Sequence, residues 1–336
     1  MTARQVPTRT LARRRGAEDR GSLALGAAGA VALVLWAGSN GYRQSLLVTI
    51  ATYALVALGM YIPFVLAGSL SLAYGAYASI GGYAVGIVSA YSGLPIWVAW
   101  LAGPAVAATV AVLLGLATRR LSGFYLAAAT LLFGTAFQAW LVDAQGITGG
   151  SAGIGGLRRL ALLGWHPGAS TLVMADAALV CLIAYAIDRL RLSPWGTLVR
   201  AMREVPVAVE ATGVRVPVMN LVALAIGAAV GSLGGALFTQ SVGSVTPDTF
   251  TLSIVFLAIF MPLIGGTGTP WGAVAGAVIV VDLTLNFSLL KTSGLLVVSL
   301  AVLLVMLVAR RGVVGYLDSA RRHGLRLLRI VTARDR

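Results

Sequence analysis

Runs of about 20 apolar residues, repeated along almost the whole chain, constrain this sequence more than any other feature. Ten runs can be delimited, at about residues 22–38, 46–67, 69–91, 94–118, 124–142, 170–189, 217–240, 250–264, 271–289 and 293–309. Each can cross a hydrocarbon core as a helix, and none alternates polar with apolar as a lipid-facing strand would. Unpaired backbone groups are too costly in lipid for an open sheet, so helix is the default. Composition agrees: 58% of the 336 residues are hydrophobic and 11% are charged, about half the charge of a soluble domain. That excludes a soluble enzyme, a disordered chain and a nucleic-acid-binding domain. The predicted fold is all-α: a polytopic membrane protein with about ten transmembrane helices, some of them broken.

The net charge is +14, and all basic residues but Lys291 are arginine. Placing the N-terminus in the cytoplasm puts 21 of the 25 basic residues on the inside and leaves Arg43, Arg158, Arg159 and Lys291 outside. That bias predicts both termini cytoplasmic and an even number of spans. The expected organisation is a basic cytoplasmic segment at 1–21, a transmembrane domain at 22–309 with a cytoplasmic loop at 190–216, and a basic cytoplasmic tail at 310–336. The tail alternates arginine with leucine and valine, which suits an amphipathic helix on an anionic leaflet. The first run, ending near Ala37-Gly38-Ser39, also has the layout of a cleaved signal. It is read here as a first span.

Three polar or interrupted stretches stand out. The first is SPWGTLVRAMREVPVAVEATGVRV, Ser193 to Val216. Ser193 can cap a helix that Pro194 opens. Pro206 pushes the residue before it out of helical geometry, so that helix should stop near Glu204. A second short helix should run from Pro206 to Gly213, which tolerates a left-handed cap. Two short helices would then lie across the inner face, carrying Arg200, Arg203, Glu204, Ala208 and Glu210. They form either a solvated loop or a docking knob for a cytoplasmic motor.

The other two are PFVLAGSLSLAYGAYASIGGY, Pro63 to Tyr83, and PLIGGTGTPWGAVAG, Pro262 to Gly276. Helix breakers at membrane depth need protein or a water-filled cavity to satisfy the freed backbone. Interrupted apolar segments in both halves point to a transport pathway. The expected lining is Ser69, Ser71, Tyr74 and Tyr77 from the first segment and Gly265, Gly266 and Gly268 from the second. Close packing through small residues is the other reading, and the two are compatible.

The outer loop Asp143–Ser170 contains ITGGSAGIGG. It lacks the Gly-Lys-Ser/Thr ending and preceding strand of a phosphate loop, and reads as a connector or an outer gate. Asp282, with Asn286 one helical turn on, and Asp176 lie within apolar runs. An ionised group at depth is a functional candidate. Proton coupling through Asp282 is one reading, and a hydrogen-bonded structural acid is the plainer one for both. Two histidines, His166 and His323, and the single Cys181 leave almost no material for a metal centre or a catalytic triad, and none is expected.

Four stretches in order resemble the membrane permeases of branched-chain amino acid ABC importers, LivM-type in particular. They are GSLSLAYGAYASIGGY (68–83), ITGGSAGI (147–154), SPWGTLVRAMREVPVAVEATGV (193–214) and GGTGTPWGAVAGA (265–277). The resemblance implies an inner-membrane subunit that moves hydrophobic amino acids inward by alternating access and is not an enzyme. It implies a second, LivH-type permease, two cytoplasmic ATP-binding subunits and an external substrate-binding protein as partners. ATP and Mg would be bound by those partners, with no cofactor in this chain. It assigns Ser193, Pro194, Gly196, Arg200, Arg203, Glu204, Ala208, Glu210 and Gly213 to the loop that couples to the ATPases. Val205-Pro206 replaces the family's usual acidic pair, Ser69 a glutamine, and Tyr74 a frequent histidine. These departures keep urea, short amides or another small solute open as cargo, with a proton-coupled carrier as the further alternative.

Overall fold

A computed structural model describes residues 40–121, 123–157 and 168–286, with six isolated positions between 29 and 38. The expected first and tenth spans, the two basic terminal segments and the side chain of Asn286 lie outside the described residues.

The described chain is helical. Helix α1 (Gly41–Met60) runs directly into a π-helical turn, Tyr61–Leu66. Then come α2 (Tyr74–Ile87), extended by a π turn to Ser92, α3 (Trp97–Ala117) and α4 (Phe124–Asp143). Helix α5 (Ala169–Leu192) leads into the short α6 (Pro194–Glu204) and α7 (Pro206–Ala211). Finally α8 (Val216–Val242), α9 (Leu252–Gly265) and α10 (Pro270–Asn286) complete the bundle. Among the described residues there is no strand, only one isolated bridge between Ile154 and Val245.

Helix α8 is the axis, with α1, α2 and α3 packed around it and the α9–α10 hairpin against α1. Helices α3, α4 and α5 form the outside, where Leu101, Leu113, Leu132 and Leu182 are exposed, as lipid-facing positions are. Apolar side chains gain nothing by leaving lipid for one another, so close approach through small residues is what holds such helices together. The sequence meets that need at the α1–α8 crossing. An added Cβ at Gly59 would lie 2.5 Å from the Gly227 carbonyl oxygen and 2.7 Å from the Gly231 nitrogen. At the α2–α8 crossing, Gly81 faces the Ser232 carbonyl and Gly235 the Ala78 carbonyl at backbone contact.

Six helical segments among the described residues are long and apolar enough to cross a membrane: Gly41–Leu66, Trp97–Ala117, Phe124–Asp143, Ser170–Leu192, Val216–Val242 and Pro247–Gly265. The expected ninth span is a shorter apolar helix, Pro270–Thr284. The expected third span needs correction: residues 67–73 are irregular, and helix starts only at Tyr74. The cause is local. Pro63 has no N–H to give the Gly59 carbonyl four residues back, and Gly68 takes a left-handed φ of +75°, so the helix ends.

Candidate functional site

The arginine-rich end of the bundle carries α6 and α7. The limits of α6 and the start of α7 are those expected from Ser193, Pro194 and Pro206, while α7 ends at Ala211, two residues short of Gly213. The Ser193 hydroxyl accepts from the Gly196 N–H at 3.2 Å and donates to the Leu190 carbonyl at 2.6 Å. Pro194 occupies the first helical position. Gly196 sits on the Leu190 and Arg191 carbonyls, where a Cβ would collide. Gly213 takes φ +86° after α7. Val199, Met202 and Val209 are buried beneath the pair. Glu204, Val205, Pro206, Val207, Ala208, Glu210 and Ala211 are exposed, making an apolar ridge flanked by two carboxylates.

The two arginines of α6 engage their own chain. Arg200 donates from Nε to the Gly196 carbonyl at 3.2 Å and from Nη2 to the Arg191 carbonyl at 3.3 Å. Arg203 donates to the Val65 carbonyl, an acceptor left over where α1 and its π turn end. Its aliphatic stem lies over Gly68, with Cγ 2.8 Å from where a Cβ would be. Thus α6 bears directly on the first interrupted segment.

That segment is held from three further directions. The Ser69 N–H donates to the Pro63 carbonyl at 2.8 Å, and the Ser69 hydroxyl donates to Asn220 Oδ1 on α8 at 3.1 Å. The Leu72 N–H donates to the Thr130 hydroxyl on α4 at 2.8 Å. The Tyr74 hydroxyl donates to the Gly59 carbonyl at 2.9 Å. Tyr74 and Tyr77 meet edge to face at 5.4 Å between ring centroids. Ser71, Tyr74 and Tyr77 are fully buried in this conformation. An open cleft lies beside them instead, between α2, α4 and α9. It is lined by Leu72, Gly75, Ala76 and Ser79, by Thr135, Phe137 and Gln138, and by Phe250 and Val255.

In the second interrupted segment, Gly265 and Gly272 pack at backbone contact, as do Gly276 and Met261, closing the α9–α10 hairpin. Gly266 turns the chain, and the carbonyls of Thr267 and Gly268 accept from Tyr61 and Arg191. Close packing and broken backbone therefore coexist in both segments. Arg191, Asp188, Tyr61, Asn220 and Thr130 were not among the sequence candidates. Their partners lie 58 to 206 residues away along the chain, apart from Asp188, paired with Arg191 at 2.9 Å. The one available signal was Asp188–Arg191 itself, an acid and a base one turn apart at the end of an apolar run.

At the opposite end, the ITGG loop is fixed in place. Ile154 and Val245 exchange backbone bonds at 2.8 and 2.9 Å, and the buried Thr148 hydroxyl donates to the Leu141 carbonyl at 2.6 Å. Asp176 is buried on α5 and accepts from the Ser241 hydroxyl at 3.1 Å, the arrangement of a structural acid. Asp282 lies on α10, in its last described turns. Among the described residues no group of His, Cys, Asp and Glu could hold a metal ion.

Apolar spans around a central helix, two broken segments and an amphipathic helix pair at the arginine-rich end define a multi-pass membrane protein. The family described as branched-chain amino acid transport system / permease component matches residues 42–311, and the chain belongs to that family. The high-affinity branched-chain amino acid transport system permease protein LivM of Salmonella typhimurium is 30% identical over 275 residues, covering 73% of this chain and 65% of that protein. LivM of Escherichia coli is 29% identical with the same coverage. A probable LivM of Methanocaldococcus jannaschii is 31% identical over 105 residues, 30% of each chain. The chain thus aligns with about two thirds of the length of the two bacterial relatives. No solved structure matches it. These relatives are transport permeases, a role without catalysis.

Proposed function

We propose that this chain is the permease subunit of an ABC importer in the inner membrane, moving branched-chain or similar hydrophobic amino acids inward by alternating access. Its partners are a second permease, two cytoplasmic ATP-binding subunits and an external substrate-binding protein. ATP and Mg belong to the ATP-binding subunits. The observation that carries the reading is the α6–α7 pair: an exposed apolar ridge with Glu204 and Glu210 beside it, seated on the first interrupted segment through Arg203. A cleft with basic walls on an ATPase suits that ridge, since charge-assisted contacts to the carboxylates would fix its register. The narrow, mostly apolar cleft between α2, α4 and α9, with Ser79, Thr135 and Gln138 along it, has room for little more than a water in this conformation and would have to widen as the helices part to admit an aliphatic amino acid. Purification of the tagged chain from native membranes should recover ATP-binding subunits and a sibling permease. Val207→Asp should cut ATPase recovery at least tenfold with the membrane level of the chain unchanged. Uptake of labelled leucine at full rate with the ATPases deleted would refute the reading.

A further inference from the structure

The cytoplasmic end of α5 carries a polar cluster that the reading above leaves unused. Asp188 is buried and paired with Arg191 Nη2 at 2.9 Å. Arg191 donates from its other terminal nitrogen to the Gly268 carbonyl in the α9–α10 turn. The Tyr61 hydroxyl, buried in the π turn that continues α1, donates to the neighbouring Thr267 carbonyl at 3.1 Å. So one turn of the second interrupted segment is gripped by α5 and by the π turn that leads into the first interrupted segment together.

Arg191 stands two residues before the cap of α6, and its own carbonyl accepts from Arg200 of that helix at 3.3 Å. Arg203, one turn further along α6, holds Val65 at the start of the first interruption. The surface pair therefore reaches both interrupted segments through two guanidinium groups, one at each end of α6. Guanidinium suits the task. It is permanently charged and presents several donors in a rigid plane, so it holds a carbonyl in a fixed direction while its other nitrogens engage a second partner.

We propose that Arg191 and Arg203 are positioning residues that tie α6 to the two interrupted segments, so that displacing the helix pair moves both segments as one unit. This rests on the reading of α6–α7 as the element that an ATPase moves. Neither arginine touches cargo or nucleotide. Their loss leaves ATP hydrolysis possible and separates it from transport. Asp188 holds the Arg191 guanidinium in direction, and Tyr61 shares its target turn.

The test uses the assembled transporter in vesicles loaded with ATP, measuring labelled leucine taken up per ATP hydrolysed. That ratio divides out the amount of folded complex, which a purely structural role would change. Arg191→Gln and Arg203→Gln should each lower the ratio at least tenfold with ATPase subunits still recovered. Arg191→Lys, which keeps charge and a donor, should restore much of it. Where a glutamine variant assembles no complex, the lysine variant is read in its place and should show an intermediate ratio. A wild-type ratio in Arg191→Gln or Arg203→Gln, or in Arg191→Lys where the glutamine variant assembles no complex, overturns the proposal while the α6–α7 reading stands. Failure of the unaltered chain to bring down any ATPase overturns that reading first, and this inference with it.

Discussion

Replacing Gly59 with alanine puts a methyl group into the α1–α8 crossing. Its carbon would lie 2.5 Å from the Gly227 carbonyl oxygen and 2.7 Å from the Gly231 nitrogen. Ordinary carbon–oxygen approach is about 3.3–3.6 Å, so the helices must part by about 1 Å. Both obstacles are backbone atoms of α8, which no rotamer change can clear. The Tyr74 hydroxyl bond to the Gly59 carbonyl sits in the same crossing and is stretched with it. Overpacking costs about 1–3 kcal/mol, and rigid obstacles favour the upper end. Alanine regains about 1 kcal/mol of helix propensity over glycine, so a control is needed. Gly146→Ala serves, because Gly146 lies in the short helical turn Gln145–Thr148 and nothing lies within 4 Å of the added carbon. The two variants should differ by about 2–3 kcal/mol, on the order of a hundredfold in the unfolding equilibrium at 1.4 kcal/mol per factor of ten. Reversible unfolding in mixed micelles, titrated with a denaturing detergent, measures it. Equal stability of Gly59→Ala and Gly146→Ala would refute the idea that contact between these backbones holds the crossing.

Thr130→Val deprives the buried Leu72 N–H of its 2.8 Å acceptor; an orphaned buried donor costs about 1–3 kcal/mol, readable in the same titration and as faster amide exchange at 69–73. Ser193→Ala removes the cap of α6 and should weaken that helix by about 1 kcal/mol; recovery of ATPases should fall and be regained with Ser193→Asp, which can cap.

The α6–α7 pair was legible because its limits are set by backbone chemistry within a few residues. Ser193 caps, Pro194 opens, Pro206 stops one helix and starts the next, and Gly213 turns left-handed. Each fact needs no knowledge of the rest of the chain. The break at 67–73 was half legible. Its proline and glycines are visible, yet its residues are as apolar as a span, and apolarity alone cannot say that helix resumes only at Tyr74. Tyr74 and Tyr77 were read as pathway lining because they lie in the interrupted segment. The Tyr74 ring fills the space that Gly227 and Gly231 leave open on α8, a complementarity of residues 150 and more positions apart that no local pattern reveals. Arg203 drew attention as an outward charge, and the contact of its stem with Gly68 depends on where α1 and its π turn end. Arg191 was hidden for the same reason.

The irregular stretch between Leu66 and Tyr74 shows why packing and movement need not exclude one another here. Backbone groups released from a helix at this depth must find partners in protein. The partners are the Pro63 carbonyl for Ser69, the Thr130 hydroxyl for Leu72 and the Arg203 guanidinium for Val65. They come from three different helices, α1's continuation, α4 and α6, so no one helix can satisfy the stretch by itself. A shift of α6 alone leaves the Val65 carbonyl without its donor, and a shift of α4 alone leaves the Leu72 N–H without its acceptor. Either orphan is costly enough to be avoided. The stretch is therefore tied to the positions of α1, α4 and α6 together. Glycine crossings at backbone contact add to this, because rigid helices that touch through main chain translate a push without absorbing it in side-chain rotamers.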